Sequence, residues 1–161
     1  MTPTRFSDLL RVLTQHHVDY IVVGGIAAAA HGSVRATYDL DVVYARGGDN
    51  IKKVVAALKP LDPYLRGAPP GLPFSWDTDT VQQGLNFTLT TRLGSIDLFG
   101  EIIGGGTFED LRSHTKTVHV FEVDCLVLTL DKLIAVKRAA GRPKDLEVIA
   151  ELEAIAEEQE G

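Results

Sequence analysis

Asp39-Leu40-Asp41 puts two carboxylates at i and i+2. On a strand both point to one face, while Leu40 and Val42 point to the other. Two anions side by side repel, and the cation that best suits their hard oxygens is a divalent ion, Mg²⁺ above all. A third carboxylate, Asp97, lies in Ser95-Ile96-Asp97-Leu98-Phe99 between apolar neighbours. An ionised side chain there needs a partner, and a metal already held by Asp39 and Asp41 would serve; the alternative is an edge-strand Asp facing water. The Asp-x-Asp spelling is weak by itself, since 13 Asp in 161 residues give about one such match by chance. A second copy, Asp77-Thr78-Asp79, sits in a proline-rich stretch with no apolar strand beneath it and reads as solvated surface.

What separates Asp39 and Asp41 from that copy is the glycine pair upstream. Gly24-Gly25 follows the β-branched run Tyr20-Ile21-Val22-Val23 and opens Ile26-Ala27-Ala28-Ala29-Ala30. That order is strand, glycine turn, helix, and a helix start presents bare N–H groups to which phosphate can bind. A side chain of hydrogen only lets a ligand approach the backbone closely; the plainer reading is a tight turn. On the cationic side, five of the 16 bases, Lys132, Lys137, Arg138, Arg142 and Lys144, fall close together. Lys137 continues the apolar stripe of Leu130, Leu133 and Ile134, so it either snorkels outward or reaches an anion such as a triphosphate or Asp145. Arg138 and Arg142, four apart, form either a phosphate clamp or a solvated face.

The elements that must position these groups follow from local pattern. Phe6, Leu9, Leu10 and Leu13 predict an amphipathic helix over about 5–17, and apolar Val54, Val55 and Leu58 before Pro60 another over 50–59. Strands are predicted at 20–23 and 40–44, and 85–91 with 95–99 predict a hairpin turning at Arg92-Leu93-Gly94. Residues 60–83 carry five prolines, so regular structure is not expected there, and a loop that long suggests a functional lid. One or two strands are predicted within 118–127, then a helix from Leu130 to Ala140 ended by Gly141 and a last helix opened by Pro143. The class is α+β with a mixed, mostly antiparallel sheet. His31 is expected to cap the short helix, and Cys125 to be a buried small hydrophobe.

At 161 residues the chain matches one domain, spanning 1–161 with its C-terminal helices from about 130. The net charge of −6 is concentrated at one end: residues 145–161 hold seven of the 22 acids and no Lys or Arg. The near-neutral remainder argues against a broad nucleic-acid-coating surface but leaves room for a small basic pocket. No apolar stretch is long enough to span a membrane. A single cysteine and no apolar run in residues 1–10 point to a reducing, cytoplasmic setting. Walker A, Rossmann and HExxH spellings are absent.

These residues together resemble the nucleotidyltransferase superfamily that includes DNA polymerase beta. The likeness rests on Gly24-Gly25, Ala27-Ala28, His31-Gly32, Arg35-x-Thr37-x-Asp39-x-Asp41, the later strand Asp97, and Lys137-Arg138-Ala139-Ala140-Gly141-Arg142-Pro143-Lys144-Asp145. Within the superfamily the sequence is most similar to small nucleotidyltransferases grouped with abortive-infection and type IV toxin–antitoxin toxins. Arg66-Gly67-Ala68-Pro69-Pro70-Gly71-Leu72-Pro73-Phe74 and Gly84-Leu85-Asn86-Phe87 resemble stretches of uncharacterised members. The resemblance implies a polymerase beta-like fold and transfer of a nucleoside monophosphate from an NTP, ATP among them, to an acceptor hydroxyl on tRNA, protein or a small molecule. It implies two Mg²⁺ ions, or Mn²⁺ in their place, held by Asp39, Asp41 and Asp97. Gly24 and Gly25 would bind the triphosphate, and Lys137, with Arg138 or Arg142, would neutralise the leaving pyrophosphate. An antitoxin protein would be a partner. Gly25 departs from the serine many members carry, which removes one hydroxyl from the phosphate site. The rival expectation is a non-catalytic nucleotide- or partner-binding module that keeps the fold; a third is an interaction protein docking a basic partner on its acidic last helix.

Overall fold

The computed structural model describes residues 3–160; Met1, Thr2 and Gly161, at the ends of the expected domain, lie outside the described residues. In chain order the elements are α1 (Phe6–Gln15), β1 (Tyr20–Val23), α2 (Gly24–Ala30), β2 (Asp39–Tyr44), α3 (Gly48–Leu58), β3 (Tyr64–Leu65), α4 (Thr78–Gln83) and β4 (Phe87–Thr91). There follow β5 (Gly94–Phe99), β6 (Glu101–Ile102), β7 (Gly106–Thr107), α5 (Phe108–Leu111), β8 (Thr115–Val120), β9 (Val123–Leu128), α6 (Leu130–Ala140) and α7 (Pro143–Glu160).

The four residues of β1 are all buried, as a continuous apolar run demands of a strand covered on both faces. β1 therefore lies inside a seven-stranded sheet of order β3-β4-β5-β2-β1-β9-β8. It runs antiparallel to β2 and parallel to β9, and β2 runs parallel to β5. The pairs β3–β4, β4–β5 and β8–β9 are antiparallel, which gives the mixed, mostly antiparallel sheet expected. The core gathers Leu9, Leu10 and Leu13 of α1, Ile26 of α2, Leu40 and Val42 of β2, Leu58 of α3 and Ile96 and Leu98 of β5. α1 packs on β9 and α3, while α6 packs on α2 and α7.

The region 60–83 corrects the expectation of irregular backbone. Tyr64 and Leu65 add an edge strand to β4, and Asp77 caps α4 by accepting a 2.8 Å hydrogen bond from the Thr80 amide. The second Asp-x-Asp thus begins a helix, a role to which Asp is suited because its carboxylate satisfies an otherwise orphaned N–H. The intervening chain is pinned by aromatic packing of Tyr64 on Phe74, Phe74 on Trp76 and Trp76 on Phe87. Trp76, 4% exposed, donates its indole N–H to the Val55 carbonyl at 3.2 Å. His31 ends α2, and its Nε2 lies 2.7 Å from the Leu128 carbonyl, tying α2 to β9. Cys125 is buried, and burial pushes its thiol up to about 11, which leaves it inert as a nucleophile. Gly141 ends α6 at φ +66°.

Candidate functional site

The sheet sets the acidic residues in one row. Val23 is registered opposite Asp41, Asp41 opposite Asp97, and Asp97 opposite Thr88 of β4. Asp39 lies one pleat away on the same face of β2, opposite Ser95. The parallel β2–β5 pair therefore sets the Asp41 and Asp97 carboxyls abreast, although they are far apart in sequence. Gly24, next after Val23, takes φ +67°, and a Cβ built there would lie 2.9 Å from the Asp41 Cβ and closer still to its carboxylate. Its backbone is thereby held against Asp41. A Cβ at Gly25 would fall 2.8 Å from the Thr37 Cβ, with the Thr37 hydroxyl nearer. The Thr37 side chain thus fills the space that a side chain at position 25 would need.

Arg66 enters this row from the sheet edge. Its amide donates to the Thr88 carbonyl at 3.0 Å, one residue beyond β3. Its guanidinium donates to Asp39 Oδ1 at 2.9 Å through Nη1 and to Asp97 Oδ1 through Nη2. Asp41 is left without that cation. Burial first, then the charge and hydrogen bond of Asp97 and the charge of Asp39, push the Asp41 carboxyl up to about 7, against a smaller lowering by Lys137. Burial also raises Asp97, opposed chiefly by the charge of Arg66.

The cations lie across a cleft of about 430 Å³ lined by Gly24 and Asp41 on one side and by Lys137, Arg142 and Asp145 on the other. Asp145, 1% exposed, gathers them: Arg142 donates through Nε at 2.6 Å and Nη2 at 3.1 Å, and the Lys137 ammonium lies 3.6 Å away. Burial pushes the Asp145 carboxyl up, but the hydrogen bonds and charge of Arg142 and the charge of Lys137 outweigh it and hold it below its ordinary value. Arg138 is not among the cleft residues; its guanidinium pairs with Glu153 between α6 and α7. The remaining walls are largely apolar, from Phe99, Ile102, Ile103, Leu133, Val136 and Ala140, with Asn86 and Glu101 as polar exceptions.

Solved structures with this arrangement of elements exist. A candidate nucleotidyltransferase from Thermotoga maritima aligns over 94% of this chain and 95% of its own at 13% identity, with a TM-score of 0.59. The lincomycin-bound lincosamide antibiotic adenylyltransferase LnuA aligns over 96% of this chain and 99% of its own at 13% identity, with a TM-score of 0.62. The chain has the polymerase beta-like nucleotidyltransferase fold. The sequence matches no protein-family model and no curated protein. On this nucleotidyltransferase fold, the cleft takes in Gly24, Asp41, Lys137 and Arg142, Asp39 and Asp97 lie beside Asp41 in the sheet, and Gly25 and Arg138 are not among the cleft residues. Sequence reasoning noticed Arg66 only as part of a family-like stretch. A signal was there, because Tyr64-Leu65 is a short apolar pair, but the surrounding prolines masked it as a strand.

Proposed function

We propose that this chain is a metal-dependent nucleotidyltransferase that moves a nucleoside monophosphate from an NTP to an acceptor hydroxyl. The observation that carries the reading is that Gly24 and Asp41, with Asp97 registered beside Asp41, face Lys137 and Arg142 across a single cleft. The donor set fits a divalent cation: carboxylate oxygens are hard ligands, and one guanidinium against three carboxyls leaves the cluster short of positive charge. Asp39, Asp41 and Asp97 would hold Mg²⁺, which would supply charge neutralisation and a more acidic acceptor hydroxyl.

The chain's own residues supply the rest. The Gly24 backbone would admit the phosphates close to Asp41, since no side chain stands between. Lys137 and Arg142, held by Asp145, would pair with the pyrophosphate as its bond to the α-phosphorus breaks. Asp97 would take the acceptor's proton as the new oxygen–phosphorus bond forms. Positioning and charge neutralisation account for most of the catalysis in such transfers.

Among acceptors, the cleft favours a small hydroxyl compound over a tRNA end or a protein side chain, because its apolar walls and few polar groups suit a compact ligand. LnuA, which carries lincomycin in its structure, is a precedent on this fold. A toxin role with an antitoxin partner is supported by the sequence resemblance, and growth arrest on expression of the wild type, but not of Asp41→Asn, would test it.

The primary test is calorimetric titration of each of the four NTPs with and without Mg²⁺, on wild type and Asp41→Asn. Metal-dependent binding of an NTP, lost in the variant, is the expected result; equal binding by both proteins overturns the assignment of Asp41.

A further inference from the structure

The guanidinium of Arg66 lies against two of the three clustered carboxylates. It bridges Asp39 and Asp97, and among the described residues no group of three acidic, His or Cys side chains converges into a metal-binding set. The other two cations of the site, Lys137 and Arg142, pair with Asp145. We propose that Arg66 is a built-in counter-cation that closes the acidic site, so that a divalent ion enters only by displacing its guanidinium. The proposal rests on the reading of Asp39, Asp41 and Asp97 as the metal-holding carboxylates.

The local architecture suits such a displaceable plug. The root of Arg66 is fixed, because Tyr64 and Leu65 are registered on Thr90 and Leu89 of β4 and the Arg66 amide bonds to Thr88. Its side chain crosses the exposed Thr88 to reach β5 and β2, and 26% of it remains open to solvent. Rotation about side-chain bonds therefore releases both carboxylates without moving the sheet. The exchange replaces one positive charge by two on the same oxygens, and the freed fork of N–H donors stays at the edge of the site, where it matches a phosphate oxygen of an incoming nucleotide. A protein without substrate keeps Asp39 and Asp97 paired, and Mg²⁺ bound to an NTP, bringing phosphates for the displaced arginine, enters more readily than the bare ion.

The test is Mn²⁺ titration of the full chain at pH 8, with free Mn²⁺ followed by electron paramagnetic resonance, on wild type, Arg66→Ala and the double variant Arg66→Ala/Asp41→Asn. Arg66→Ala is expected to bind Mn²⁺ about tenfold more tightly than wild type, the order of effect a neighbouring charge exerts at such a site. The double variant is expected to lose that gain. Arg66→Gln, which keeps length and polarity without charge, gives the same readout should the alanine variant not fold. Equal Mn²⁺ affinity in wild type and both Arg66 variants overturns the plug and leaves the metal site standing. A gain that survives Asp41→Asn places the metal elsewhere and also overturns it. Absence of Mn²⁺ binding in all variants overturns the metal reading and the plug with it.

Discussion

At the residue scale, Asp41 is held against its own stability. Its carboxyl is raised from an ordinary value of 3.8 to about 7, mainly by burial and by Asp97. The folded chain therefore binds that proton more tightly than the unfolded chain does. This contribution to stability is fully present below about pH 4 and is lost as pH rises through about 7. Asp41→Asn removes the penalty, so the metal-free variant is expected to be more stable than wild type at pH 8 and to melt at a higher temperature. The difference should vanish near pH 4, and thermal unfolding at both pH values checks it. On the proposed function, the same variant is expected to lose nucleotide transfer. Gly24 is constrained from two sides, by its φ of +67° and by the Asp41 side chain lying where a Cβ would go. Gly24→Ala is expected to destabilise the fold by about 1–2 kcal/mol through the left-handed backbone alone. By pushing Asp41 aside, it should also abolish Mg²⁺-dependent NTP binding, measured by calorimetry.

At the scale of elements, the segment between α3 and β4 owes its order to Trp76 and Asp77 rather than to a continuous strand or helix. Trp76→Ala removes the ring packed on Phe74 and Phe87 and the indole bond to Val55. It is expected to cost about 3–5 kcal/mol, seen as a lower urea midpoint with an unchanged slope. Much of the rest was legible in the sequence because its signals are local. The period of α1, the buried run of β1, the hairpin of β4 and β5, and the Gly141-Pro143 boundary between α6 and α7 need only their neighbours. β3 is not legible, since two residues among prolines carry no periodicity, and neither is the cap made by the surface residue Asp77, since a cap is defined by the helix that follows it. The candidate site was legible as residue types but not as geometry. That Asp41 stands abreast of Asp97, and that Arg66 reaches both β2 and β5, depends on the order of strands in the sheet, which no local window contains.

At the scale of the whole molecule, α7 closes the structure. It contributes buried Ile149 and Leu152, and Asp145 to gather Lys137 and Arg142. Glu151 also accepts from the Ser33 hydroxyl at 2.6 Å and the Val34 amide at 3.2 Å, clipping the connection that leads into β2. A chain ending before Pro143 loses two core side chains worth about 1.5–3 kcal/mol each and the counter-ion of two cations. It is expected to unfold without a cooperative transition, as monitored by circular dichroism. Replacing Asp145 alone by Asn should cost about 2 kcal/mol and weaken NTP binding, through loss of the order it imposes on Lys137 and Arg142. The placement of Trp76 has an optical consequence. It is the chain's single tryptophan, shielded from water and anchored in the segment that follows Arg66. Its fluorescence is therefore an intrinsic reporter of that segment alone, and a shift in its emission on addition of metal and nucleotide would record, without any label, whether the sheet edge moves when the acidic site fills.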